Sequence, residues 1–164
     1  MSREAERVGR DADRRVSPDP VGNAGRVPDP SDRTLPEADR RRLIVWAAAC
    51  GARLLPVFSA ERPDDGRLQD ALDGAAAFAA GTLGVGAMRT LAFACHAAAR
   101  DAVSPEATAV ARAVGQAAAV AHMAAHGREI GRYTRRALAG EPLAAELERQ
   151  RANVPADLAA YVFG

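Results

Sequence analysis

The sequence contains no lysine: all 22 basic residues are arginine, set against 21 acidic residues for a net charge of +1. A chain so nearly neutral has no overall field to steer it to nucleic acid or to an anionic membrane. The arginine usage goes with abundant alanine and reads as the codon bias of a GC-rich genome more than as a design for phosphate binding. Cysteine is scarce too. Cys50 and Cys95 are the only two, both inside helical patterns, and nothing suggests a disulfide framework. The opening residues MSREAERVGRDADRR lack the apolar core of a signal peptide, and no apolar run approaches ~20 residues without an Arg, Asp or Gly. The expectation is a cytoplasmic protein with no membrane span. Alternating strand patterns and fixed-period repeats are also missing, so the sheet and solenoid classes drop out.

What remains is helix. Aromatics make up only 4% of the chain, so the core must be built largely from alanine, with Trp46, Phe58, Phe78, Phe93 and Tyr133 as bulky fillers. Two stretches hold all three histidines and organise the rest: Ser104 to His126 and, before it, Gly86 to Ala102. Ser104 can cap the later helix, Pro105 suits the first helical position and Glu106 favours the positive dipole end. Val110, Val114, Ala117 and Ala121 then share one face, and His122 and His126, four apart, share a side with Gly115. In the earlier helix Met88, Leu91, Cys95, Ala98, Ala99 and Ala102 form the apolar face. Arg89, Phe93, His96 and Arg100 form a second stripe. A solvated face seldom carries Phe and a buried one seldom carries two Arg, so this stripe is a candidate interaction face.

The remaining helices follow by periodicity. Thr34 and Glu37 have capping-box spacing before a helix whose apolar stripe is Leu43, Trp46, Ala47, Cys50, Leu54, Val57 and Phe58. Pro56 should kink or end it, and Glu61 to Gly66 reads as a turn. A helix from about Arg67 to Ala80 is closed by Gly81. Gly127 should break the chain before a helix over about 128–139, stopped by Gly140, and 142–153 should be helical before a short turn at 155–163. The fold class is all-α: a compact bundle of five to six mostly antiparallel, Ala-rich helices. Residues 1–34, with four prolines and no Leu, Ile or aromatic, read as a disordered tail. Residues 35–140 form the helical domain, and 141–164 a C-terminal extension packing on it.

Chemistry is thinly signalled. His122-x-x-x-His126 on one helical face could bind a metal, with His96 as third ligand. No Glu follows His122 as in H-E-x-x-H, however, and structural histidines at a helix contact explain the pattern more simply. Cys95 and His96 are adjacent and point about 100° apart on a helix, so they are no nucleophile–base pair. Asp64 and Asp65 fit a helix N-terminus. Arg40-Arg41-Arg42 and the stripe Arg128, Arg132, Arg135, Arg136 lack a helix-turn-helix or interleaved aromatics, which makes nucleic-acid binding the weakest reading, solvated faces the simplest and an acidic protein partner the next best.

Trp46 with Cys50, Phe58 before Arg62-Pro63-Asp64-Asp65-x-Arg67, Ala92-x-x-x-His96-Ala97-Ala98-Ala99-Arg100, Ala113-x-Gly115, His122-x-x-x-His126 and then Tyr133 resemble, in that order, the immunity proteins of the immunity-protein-five-like type. The resemblance spans roughly residues 36–140. It implies a small bacterial all-helical protein that binds a cognate toxin, without cofactor or catalysis, and places the family's polar signature on Asp64, Asp65, Arg67, His96, Arg100, His122 and His126. One departure stands out: the family usually has His after the glycine matching Gly115, where this chain has Gln116. The expected reading is therefore a non-enzymatic immunity protein using the Arg89, Phe93, His96, Arg100 stripe. The alternative is a small metal-binding enzyme or sensor using His96, His122 and His126 with Asp64 or Asp65.

Overall fold

A computed structural model describes residues 28–164; the tail expected over 1–27 lies outside the described residues. Seven α-helices follow one another: α1 (Glu37–Glu61), α2 (Arg67–Ala79), α3 (Val85–Asp101), α4 (Pro105–Ala119), α5 (Ile130–Ala137), α6 (Gly140–Asn153) and α7 (Ala159–Phe163). Short 3₁₀ turns at Ala124–Glu129 and Ala156–Leu158 link the later ones. Among the described residues there are no strands. The all-α bundle expected from the sequence is the fold.

The bundle is built around α4. Its residues Ala107, Ala109, Val110, Ala111, Ala113, Val114, Gly115 and Ala117 to Ala119 are buried, and it packs against α1, α2, α3 and α5. A helix buried on nearly every side must be small, because each neighbour has to reach it at close range. Ser104 caps it as expected, its Oγ accepting the Ala107 N–H at 3.1 Å. The Glu61 carboxylate closes the same corner from the end of α1 by accepting the N–H groups of Val103 (2.7 Å) and Ser104 (2.9 Å).

Gly115 shows how tight the α3–α4 contact is. A Cβ there would lie 2.7 Å from His96 Cε1, 2.9 Å from His96 Nδ1 and 3.3 Å from Cys95 Cβ. Only glycine lets the imidazole rest on the α4 backbone. Gly115→Ala gains about 1 kcal/mol of helix propensity and loses about 1–3 kcal/mol to overpacking. The net expectation is a modest destabilisation, with the His96 ring displaced outward. In NMR titrations of the variant the His96 pKa should rise toward its ordinary value as the ring enters water; an unmoved His96 titration would refute this account of the contact.

Several helix ends differ from the sequence expectation. Thr34 caps nothing: Pro36 occupies the N-cap of α1 and no side chain bonds there. Pro56 does not end α1, which runs on to Glu61, because Pro56 sits on the exposed side. Gly81 closes α2 as expected, with φ +81°, while Thr82 N–H donates to Ala77 O at 2.9 Å and Gly81 N–H to Phe78 O at 3.0 Å, a Schellman closure. The largest difference is at the end of α4. The helix expected to reach His126 stops at Ala119, and His122 lies in a turn. His126 lies on the 3₁₀ turn that also contains Gly127, so the next α-helix starts only at Ile130. The backbone tightens there to i→i+3 bonds, Ala121 to Ala118 and His122 to Ala119. A guanidinium N–H of Arg40 takes the Ala121 carbonyl, and Ala125 N–H reaches back to Arg33 O at 3.1 Å.

Residues 32 and 33 are thus part of the fold, not of a tail. Tyr161 O–H and Arg128 both donate to Asp32 O, at 2.9 and 3.4 Å. By length and composition α1 is apolar enough to cross a membrane. Gly51 and Arg53 interrupt that apolar stretch, in keeping with the sequence reading that no apolar run of ~20 residues goes without an Arg, Asp or Gly. Its large apolar side chains Leu43, Ile44, Leu54 and Phe58 are wholly buried in the bundle core.

Candidate functional site

The helical period of α3 turns Met88, Ala92, Cys95, Ala98 and Ala99 inward. The same period leaves Arg89, Phe93 and Arg100 exposed and His96 half-buried. Phe93, expected among the core fillers, is 71% exposed, although an aromatic ring normally buries most of its area. It stands beside a groove of about 400 Å³ lined also by Arg89, Ala92, His96, His122 and His126. The turn after α4 is what brings His122 and His126 there. They do not share a helical face, yet their rings lie 5.0 Å apart, tilted by 56°.

The three imidazoles form an uncharged floor. Burial pushes the pKa of all three below the ordinary imidazole value of about 6.5. The neighbouring Arg112, His126 and Arg100 lower His96 further, and His126, Arg89 and Arg40 do so for His122; Glu129 works the other way on His126. Among the described residues, the buried Nδ1 atoms of His96 and His122 have no hydrogen-bond partner. His126 Nδ1 meets Gln116 Oε1 at 2.6 Å, so with that oxygen as acceptor Nδ1 carries the proton. The Gln116 amide therefore fixes the His126 tautomer.

A pH dependence follows. Between the ordinary pKa and the lowered ones, the unfolded chain binds protons that the folded chain refuses, so stability is complete above about pH 6.5 and falls below it. Urea unfolding at pH 7 and pH 5.5 should show the lower midpoint at pH 5.5. An unchanged or higher midpoint would contradict neutral, buried histidines.

The other expected residues are arranged elsewhere. Asp64, Asp65 and Arg67 line a separate cavity at the α1–α2 turn. Arg67 Nε and Nη2 bond the Asp65 carboxylate at 2.8 and 2.6 Å, and Nη2 also reaches Asp101 Oδ2 at 2.8 Å. The Arg67 hydrogen bonds hold the Asp65 carboxyl below its ordinary range. This clasp ties the start of α2 to the end of α3; Asp64 is exposed beside it. Among the described residues no group of three or more His, Cys, Asp or Glu is placed to hold a metal ion, so the alternative triad of His96, His122 and His126 gains no support. Burial pushes the thiols of Cys50 and Cys95 up to about 12, which leaves neither as a thiolate nucleophile near neutrality.

Sequence reasoning missed a polar network inside the C-terminal segment. The Glu146 carboxylate is buried and takes two parallel bonds from Arg53, both 2.8 Å. Gln150 Nε2 donates to Glu146 Oε1 (3.1 Å) and Thr134 Oγ1 (2.8 Å), and Trp46 Nε1 donates to Gln150 O at 2.9 Å. Together these bonds fasten α6 to α1 and α5. On its outer side α6 reads as an ordinary polar helix, and only the buried positions Glu146 and Gln150, four apart, could have signalled it.

No curated protein and no solved structure matches the chain. A family match covers residues 33–157, well over half of it, and includes the histidine groove, the Asp65–Arg67 clasp and the Arg53–Glu146 pair. The chain belongs to the family described as Imm-5 like putative immunity protein.

Proposed function

We propose that the protein is the immunity partner of a bacterial toxin, acting in the cytoplasm by non-catalytic binding through the α3 stripe and its histidine groove. The observation that carries this reading is Phe93, 71% exposed beside a groove with Arg89 on its rim. An exposed aromatic beside an arginine and a concave, uncharged floor is the composition of a binding hot spot. Neither cysteine is an activated nucleophile, which favours binding over thiol chemistry, and the family supports the general role.

The test begins with the tagged full chain as bait in lysate of the source organism. A polypeptide retained in stoichiometric amount is then expressed alone and together with the chain. Growth arrest alone, rescue by the chain, and loss of rescue with Phe93→Glu are expected. Growth unaffected by the captured polypeptide, or arrest unrelieved by the chain, would reject the reading.

A further inference from the structure

The arginine stripe read from the sequence as a solvated face is one wall of a cavity. Arg128, Arg132, Arg135 and Arg136 line it from the 3₁₀ turn and α5, Arg151 joins them from α6, and Phe163 of α7 borders it; the volume is about 400 Å³. Among the described residues no carboxylate lines this cavity. Among the described residues only Arg132 of the five pairs with an acid, Glu129 at 3.1 Å. Arg128 is held by Tyr161 O at 2.8 Å and Arg135 by Gly131 O at 3.0 Å. Arg136 and Arg151 lie over the rings of Tyr133 and Phe163, at 5.8 and 5.1 Å. Five guanidiniums gathered on one cavity repel one another, and that arrangement is relieved by a bound anion.

A second observation comes from the buried wall. Gln150 lines the same cavity and is 1% exposed. Its amide nitrogen is used on Thr134 and Glu146, but among the described residues its buried Oε1 has no partner. A buried acceptor left unmatched calls for a donor, which chloride or a carboxylate does not supply and a hydroxyl does.

We propose that this cavity binds a small phosphorylated compound carrying a hydroxyl group, the phosphate held by the arginine fork and the hydroxyl donating to Gln150 Oε1. Guanidinium geometry suits bidentate phosphate contacts. The volume is that of a small-molecule site, and a chain of net charge +1 lacks the extended field that a nucleic-acid backbone would use. The proposal goes beyond toxin binding and is independent of it, since none of these residues lines the histidine groove.

Calorimetric titration of the full chain at fixed ionic strength tests it, with ribose 5-phosphate, inorganic phosphate, sodium chloride and hexaglutamate as probes. Saturable binding of ribose 5-phosphate is expected, at least about tenfold tighter than inorganic phosphate, the worth of roughly one hydrogen bond to a buried acceptor. Arg136→Gln and Arg151→Gln, at exposed positions, should each weaken it about tenfold or more while the far-ultraviolet circular dichroism stays unchanged. Equal affinity for the two phosphates would overturn the role of Gln150. Heat with chloride matching that with phosphate, tighter binding of hexaglutamate, or no saturable phosphate binding would overturn the site.

Discussion

Arg53→Ala is expected to lower the unfolding free energy by about 3–5 kcal/mol, the cost of leaving a buried carboxylate without its cation. Glu146 keeps only 8% of its side chain accessible, and Arg53 28%, so the carboxylate has little water of its own to replace the guanidinium. The two parallel 2.8 Å bonds fix the carboxylate that in turn orients the Gln150 amide, and with it the carbonyl that accepts the Trp46 indole N–H. Losing Arg53 therefore loosens α6 as a unit. Urea unfolding measures the effect, with the slope m expected to stay near that of the parent. Arg42→Ala is the matched control. Its pair with Asp157 has geometry as good, at 2.5 Å, but its side chains are 47% and 51% exposed, and the expected loss stays below about 1 kcal/mol. Equal losses in the two variants would mean that burial does not set the strength of the Arg53–Glu146 pair.

Phe93→Ala should weaken toxin binding by at least about 2 kcal/mol, some thirtyfold in affinity, while leaving stability almost unchanged. The two expectations separate because the ring is 71% exposed: it contributes little to the bundle and has its full area available to a partner. Arg89→Ala, on the same rim, should give a smaller loss, mostly in association rate and strongest at low salt. Calorimetric affinity and thermal melting of the same samples distinguish binding from folding. A Phe93→Ala protein that melts normally and binds with parental affinity would place the interface elsewhere.

What the sequence made legible, and what it did not, follows from where each signal lies. The start of α4 was written locally in Ser104-Pro105-Glu106, and the end of α2 in Gly81, whose positive φ few other residues adopt. The end of α4 had no such mark. Alanine would have continued the helix to His126, and what stops it is tertiary: the Arg40 guanidinium on the Ala121 carbonyl and the Arg33 carbonyl on Ala125 N–H. The consequence for the candidate site was small, because the tighter turn still brings His122 and His126 within 5.0 Å.

Phe93 shows the opposite case. Periodicity placed it correctly beside Arg89 and His96, yet its size suggested the core, and only the packing of α3 on α4 decided that it faces out. The polar network around Glu146 was invisible for a plainer reason. A Glu and a Gln on an otherwise charged helix announce nothing until Arg53, some ninety residues earlier, is found against them. The arginine cavity escaped likewise, because its fifth arginine, its aromatic border and its unmatched Gln150 acceptor come from α6 and α7.

Stoichiometric, non-catalytic neutralisation, as proposed, is read out by titrating the captured toxin with the purified full chain. With toxin held well above the dissociation constant, residual toxin activity should fall linearly and reach zero at a fixed molar ratio, independent of incubation time. Inactivation by a small fraction of an equivalent, deepening with time, would contradict the account and make this protein an enzyme.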